Sequence, residues 1–161
     1  MTNISIIPYT AQYQTDFKRL NIEWISRYFT VEPHDEEQLD HPEVHVLPNQ
    51  GQIFLAKRLS VEDGQSTDEI VGCVAMVNMG ASGFELAKMA VSPAVQGQGV
   101  GRMLGEAALD YARQLGIKTV WLESNRRLTP ALTLYRKLGF KEVPLIPTPY
   151  ARADIRMEIN L

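Results

Sequence analysis

Gly97, Gly99 and Gly101 stand at alternate positions between a run that reads as a strand and the most regular amphipathic segment of the chain. The strand, residues 84–91, is closed by Pro93. From Val100 the apolar positions Met103, Leu104, Ala107, Ala108, Tyr111, Ala112 and Leu115 step by three and one, the period of a helix with one buried stripe, and Gly116 ends it. A strand that enters a helix through a glycine loop places the chain among folds with helices packed on a sheet. Free amides at such a helix start, with the dipole behind them, favour phosphate; the other reading is a tight turn with nothing bound. A dinucleotide fingerprint begun at Gly99 needs a third glycine where Leu104 stands, and one begun at Gly97 needs it where Arg102 stands. A phosphate loop ending in Gly-Lys-Ser/Thr is also absent, because Arg102 and Met103 follow Gly101. What remains is a diphosphate or similar anion held by backbone amides, with Arg102 as a helper.

The other segments fill in a mixed architecture. Residues 4–8 read as a first strand, and residues 12–29 carry Tyr13, Phe17, Leu20, Trp24, Ile25 and Tyr28 at helical spacing, as one long helix or two short ones. The acidic stretch after them, broken by Pro33, Pro42 and Pro48, reads as loop with short helical turns at most. Strands are expected at 52–57, 70–79 and 84–91, with a polar turn over 60–68 and a hairpin turn at Gly80-Ala81-Ser82-Gly83. A strand at 119–123 precedes a helix capped by Thr129, opened by Pro130 and stopped at Gly139; closing strands follow at 140–143 and 153–159. The expected class is α/β or α+β, with a central mixed, mostly antiparallel sheet flanked by helices.

At 161 residues the chain has the length of one ordinary domain, and residues 1–161 are expected to form one. Cys73, its one cysteine, excludes an internal disulfide and a multi-cysteine zinc site. No apolar run has the length of a membrane span and the start Met1-Thr2-Asn3-Ile4 carries no basic leader, so a cytoplasmic protein without a membrane partner is expected. A net charge of −3 argues against nucleic acid as a partner. That average conceals a split: residues 1–101 carry net −7 and residues 102–161 net +4. The acidic half and the basic half suit two ligands of opposite charge; a solvated acidic loop is the plainer reading.

Gln96-Gly97-Gln98-Gly99-Val100-Gly101 resembles the Gln/Arg-x-x-Gly-x-Gly/Ala loop of the GNAT superfamily of acyl-CoA-dependent N-acyltransferases. The run Glu85-Leu86-Ala87-Lys88-Met89-Ala90-Val91-Ser92-Pro93 resembles the strand before that loop. Leu122-Glu123-Ser124-Asn125 and Ala131-Leu132-Thr133-Leu134-Tyr135-Arg136-Lys137-Leu138-Gly139-Phe140 resemble the family's fifth strand and following helix. The resemblance implies that Gln96, Gly97, Gln98, Gly99, Val100, Gly101 and Arg102 hold the pyrophosphate of acetyl-CoA. It implies that Met89, Ala90 and Val91 pair with the pantetheine arm, and that Asn125 contacts pantetheine or a water. Leu128 departs from the family, where asparagine is common, which leaves the usual cofactor contact there in doubt. Tyr135 becomes the general acid for the departing thiolate, with core packing beside Leu134 and Leu138 as its other reading.

Acyl transfer to an amine needs a base, since an alkylammonium has no lone pair, and a carboxylate serves when burial raises its pKa. The resemblance assigns this to Glu85; the alternative is a solvent-facing glutamate near the Gly80 turn. Cys73 has no histidine or acid at motif spacing, so direct transfer in a ternary complex is preferred to an acyl-cysteine. His34, His41 and His45 fit no closed zinc pattern, and no metal is expected. The acidic residues from Glu32 to Glu43 suggest a small cationic amine as acceptor, with Trp24, Tyr28 and Phe29 beside its apolar part; core packing is the other reading for at least two of these aromatics. Two alternatives stand: acetylation of a protein or peptide amine, and a catalytically silent acyl-CoA-binding module. A homodimer is compatible with the resemblance.

Overall fold

The computed structural model describes residues 3–161; the start of the chain at Met1 and Thr2 lies outside them. Strand β1 (Asn3–Pro8) leads through a short turn of 3-10 helix into one long helix, α1 (Gln14–Tyr28). Helices α2 (Pro33–Asp40) and α3 (Pro42–His45) then precede a hairpin of two long strands, β2 (Gln52–Glu62) and β3 (Gln65–Asn78). Next come β4 (Phe84–Val91), α4 (Val100–Gln114), β5 (Thr119–Ser124), α5 (Thr129–Leu138), β6 (Lys141–Val143) and β7 (Ile155–Asn160). The seven strands form one sheet in the order β1-β2-β3-β4-β5-β7-β6, in which β4 and β5 are the parallel neighbours and the rest pair antiparallel. The mixed, mostly antiparallel sheet flanked by helices is the expected class.

Three local expectations are corrected. The acidic stretch is not loop: Pro33 and Pro42 occupy first-turn positions, where a missing N–H costs nothing, so they start helices. Glu32 and Asp35 close a capping box on α2, the Glu32 side chain accepting from the N3 amide and Asp35 from the Glu32 N–H. The polar turn over 60–68 shrinks to Asp63 and Gly64, both at positive φ (50° and 75°), a two-residue hairpin turn that lets β2 and β3 continue as paired strands to its edge. Thr129 is already helical; Leu128 occupies the cap position without a side-chain bond.

Alternation along β3 shows how the core is divided. Val74 and Met76 face α4 and α5, in a cluster with Leu104, Ala108, Val120 and Leu132. Cys73, Ala75 and Val77 face α1 and α2, packed with Phe17, Leu20 and Leu39. At Gly83 an added Cβ would lie 2.3 Å from the carbonyl oxygen of Thr119, so only glycine, here at φ +96°, lets β4 begin hard against β5. Among the described residues no helix is long and apolar enough to cross a membrane.

Candidate active site

Strands β4 and β5 pair only at Phe84 with Val120 and Glu85 with Trp121, and then part. The cause lies on the other edge of β4. The register with β3 slips between Cys73 and Ala75, and Lys88 adopts φ +52°, so the strand bulges and turns away from its parallel neighbour. The divergence opens a cavity of about 580 Å³ at the carboxyl ends of both strands. Because the sheet itself is split, groups from both of its faces reach this one space. Met89, Ala90 and Val91 line it along the unpaired edge of β4, and Asn125 at the end of β5.

Beyond β4, Gln96, Gly97, Gly99, Val100 and Gly101 also line the cavity. Gly97 and Gly99 both sit at φ +80°, and a Cβ added to either would meet nothing within 4 Å. The glycines are therefore required by backbone conformation, and the space before them is open to a ligand. The first-turn amides of α4 have no intrahelical acceptor and stand at this end. A long ligand with an anionic end and an amide-bearing arm fits this combination of unpaired strand edge and open amide cradle. Gln98 is exposed and outside the lining; so is Arg102, which pairs with Glu106 at 2.8 Å along the helix. Asn125 donates to the Arg152 carbonyl at 2.8 Å and accepts from the Arg127 N–H at 2.9 Å, which ties the β5–α5 turn to the segment before β7.

Glu85 is 6% exposed and lines the cavity where the strands part. Burial pushes its carboxyl up to about 7, against the pull of Lys88, with the Glu123 charge adding to the rise. Glu123 stands two residues beyond Trp121, the register partner of Glu85, so the two carboxylates share a face of the sheet. Thr148 donates its hydroxyl to Glu123 at 2.8 Å. Tyr135 enters from α5 on the opposite face; its ring meets Phe140 edge-on at 6.2 Å, and burial raises its phenol to about 12. Cavity wall and core packing are thus both true of Tyr135.

The acidic stretch does not line the cavity. Two of its carboxylates, Glu32 and Asp35, are engaged in ion pairs that dock α2. Asp35, fully buried, takes a two-pronged bond from Arg152 (2.6 and 2.7 Å) and another from Lys88 at 2.8 Å, while Glu32 accepts from the Ala151 N–H and from Arg152. Asp40 pairs with Lys18, and Glu37 and Glu43 lie beside His34 and His41. Trp24, Tyr28 and Phe29 all line the mouth. Sequence reasoning missed Lys88, Tyr150 and Arg152 in this wall. A lysine inside the apolar run of β4 was a signal for the first; Tyr150 and Arg152, in an irregular proline-rich segment, had none.

A groove opened between parallel strands, with a free strand edge along it and unpaired amides at its end, has the form that the resemblance to acyl-CoA-dependent transferases implies. A family model described as an acetyltransferase (GNAT) domain matches residues 49–142. A ribosomal protein bS18-alanine N-acetyltransferase of Salmonella typhimurium is 32% identical over 106 residues, 66% of this chain and 68% of that protein. Among solved structures, a GNAT-family acetyltransferase of Staphylococcus aureus shares the fold at TM-score 0.83 and 19% identity, covering 98% of this chain and 99% of that one. A variant of the spermidine N-acetyltransferase SpeG of Vibrio cholerae does so at TM-score 0.69 and 19% identity, covering 98% and 93%. The chain belongs to the GNAT acetyltransferase family and is an acetyl-CoA-dependent N-acetyltransferase.

Proposed function

We propose that the chain transfers acetyl from acetyl-CoA to the primary amine of a small cationic molecule, directly, within a ternary complex. The observation that carries this reading is Glu85, a buried carboxyl held near neutrality at the parting of β4 and β5. Bound acetyl-CoA supplies the activated acetyl thioester. The free edge of β4 at Met89, Ala90 and Val91 offers the pantetheine arm backbone partners, and the loop from Gln96 to Gly101 takes the pyrophosphate. Glu85 receives the proton that the acceptor ammonium must lose. Glu123, held by Thr148, adds a second negative charge that seats the ammonium. The support for a cationic acceptor therefore comes from this pair rather than from the stretch between Glu32 and Glu43.

Tyr135 keeps its proton throughout the working range, since its phenol lies at about 12. Its service to the departing thiolate is a hydrogen bond, and any proton it passes to the thiol is replaced by the second one that the acceptor nitrogen sheds as the amide forms. Tyr135→Phe is expected to lower kcat by about 10- to 100-fold in a steady-state assay while acetyl-CoA affinity changes by less than about threefold. Cys73 is buried, pushed up to about 12, and engaged by Asn21 and the Lys88 carbonyl, which supports transfer without an acyl-cysteine.

The glycine loop has its own test. Gly99→Ala places a Cβ at φ +80°, a strain of about 1–2 kcal/mol, although the space there is open. The expected result is acetyl-CoA binding weakened at least about tenfold, with Tm lower by only a few degrees. Unchanged affinity by calorimetry removes the loop from the cofactor site.

The relative that acts on a ribosomal protein favours a second reading, a protein or peptide amine as acceptor. Screening amines, amino acids and peptides for release of free CoA separates the readings. Turnover confined to peptides overturns the small-molecule acceptor, and cofactor binding with no turnover of any amine leaves only a silent acyl-CoA-binding module.

A further inference from the structure

Tyr150 lies in the segment between β6 and β7, is 8% exposed, and forms part of the cavity wall. Lys88 Nζ donates to its Oη at 2.7 Å, and Asp35 Oδ1 holds the same ammonium at 2.8 Å. An ammonium has donors only, so Oη is the acceptor of this bond and the phenol hydrogen must point elsewhere. Among the described residues no protein group accepts that hydrogen. The ring is held as well: His34 meets it edge-on at 5.0 Å and the Arg152 guanidinium covers it at 4.5 Å. Lys88 reaches this position from a left-handed backbone conformation, φ +52°, that a non-glycine residue adopts only where its surroundings impose it. The result is a clamped, nearly buried O–H donor without a partner, facing the space that Glu85 also faces.

We propose that Lys88 is a positioning residue that makes Tyr150 a fixed hydrogen-bond donor, and that the preferred acceptor is a primary amine bearing a carbonyl oxygen on the adjacent carbon. This rests on the acetyltransferase reading above, with the amine seated at Glu85. Among the described residues neither Glu85 nor Glu123 accepts from Tyr150, so its hydrogen is assigned to an oxygen of the acceptor itself. A buried donor left unpaired costs more than a made bond contributes, so an acceptor lacking that oxygen is discriminated against. Amino-acid amides and peptide N-termini both carry this chemistry.

The test compares matched amines with the full chain: alaninamide with ethylamine, phenylalaninamide with 2-phenylethylamine, and lysinamide with cadaverine. The readout is kcat/KM for CoA release. The two members of a pair differ in basicity, so the wild-type preference alone is uninformative, but its change in Tyr150→Phe cancels that difference. The preference is expected to fall about tenfold or more in Tyr150→Phe, and likewise in Lys88→Met, whose stability is followed separately. A structural role slows both members of a pair equally. An amide preference unchanged within about twofold in Tyr150→Phe overturns the inference and leaves the transferase reading standing. No CoA release from any amine, with acetyl-CoA bound, overturns both. Adding an alanine-initiated tripeptide amide beside alaninamide tells a peptide terminus from a free amino-acid derivative, and either source supports the proposal.

Discussion

Replacing Glu85 by glutamine is expected to reduce kcat by about 10²-fold or more, the range in which a positioned general base acts. Acetyl-CoA binding should persist, since the loop and the β4 edge lie further along the groove. In the wild type the base must be deprotonated, so kcat/KM should fall about tenfold per pH unit below about 7, where burial places this carboxyl. Glu123→Gln provides the contrast. Removing its charge takes away a neighbour that raises Glu85, so the acid limb should move to lower pH. If Glu123→Gln abolishes turnover while Glu85→Gln retains it, the base is Glu123 and the assignment is wrong.

The second large effect is on stability. Asp35→Asn keeps the shape of a fully buried side chain but leaves Lys88 and Arg152 facing each other without their shared carboxylate. Breaking a buried ion pair from one side costs about 3–5 kcal/mol, which in a protein of this size lowers Tm by roughly 10 °C or more. Burial alone would raise the Asp35 carboxyl, yet the bonds from Arg152 and Lys88 override it and hold the group down at about 2, against an ordinary 3.8. Its depressed value means that the stabilisation is fully present above the ordinary range and is lost as pH falls through the folded value. The gap between wild type and variant should therefore be constant near neutrality and close as pH drops from about 4 toward 2. A gap that persists at pH 2 in thermal melts would show that the cost comes from packing instead of charge.

The parts of the molecule governed by local rules were legible in the sequence. The α4 stripe from Val100 to Leu115, the strand ending at Val91 and the helix stopped at Gly139 follow from periodicity and punctuation. Errors arose where one residue type has two structural uses. Pro33 and Pro42 look like breakers in the sequence and are helix starters in the fold, and Asp63-Gly64 sits in a longer polar run yet closes a hairpin alone. The split between β4 and β5 depends on a bulge at Lys88, which no periodicity encodes. Charge counted along a chain says nothing of partners: Asp35 meets Arg152 across 117 residues, and that pairing takes up part of the charge that the acidic stretch carries. Tyr150 reached the cavity by the same long-range docking.

We propose the space between β4 and β5, ended by the glycine loop, as the acetyl-CoA site. Isothermal titration of acetyl-CoA into the wild-type protein tests it most directly. One-to-one binding with a micromolar dissociation constant, weakened at least about tenfold by Gly99→Ala, is the predicted result. No binding heat at millimolar acetyl-CoA, or equal affinity in both proteins, would contradict it.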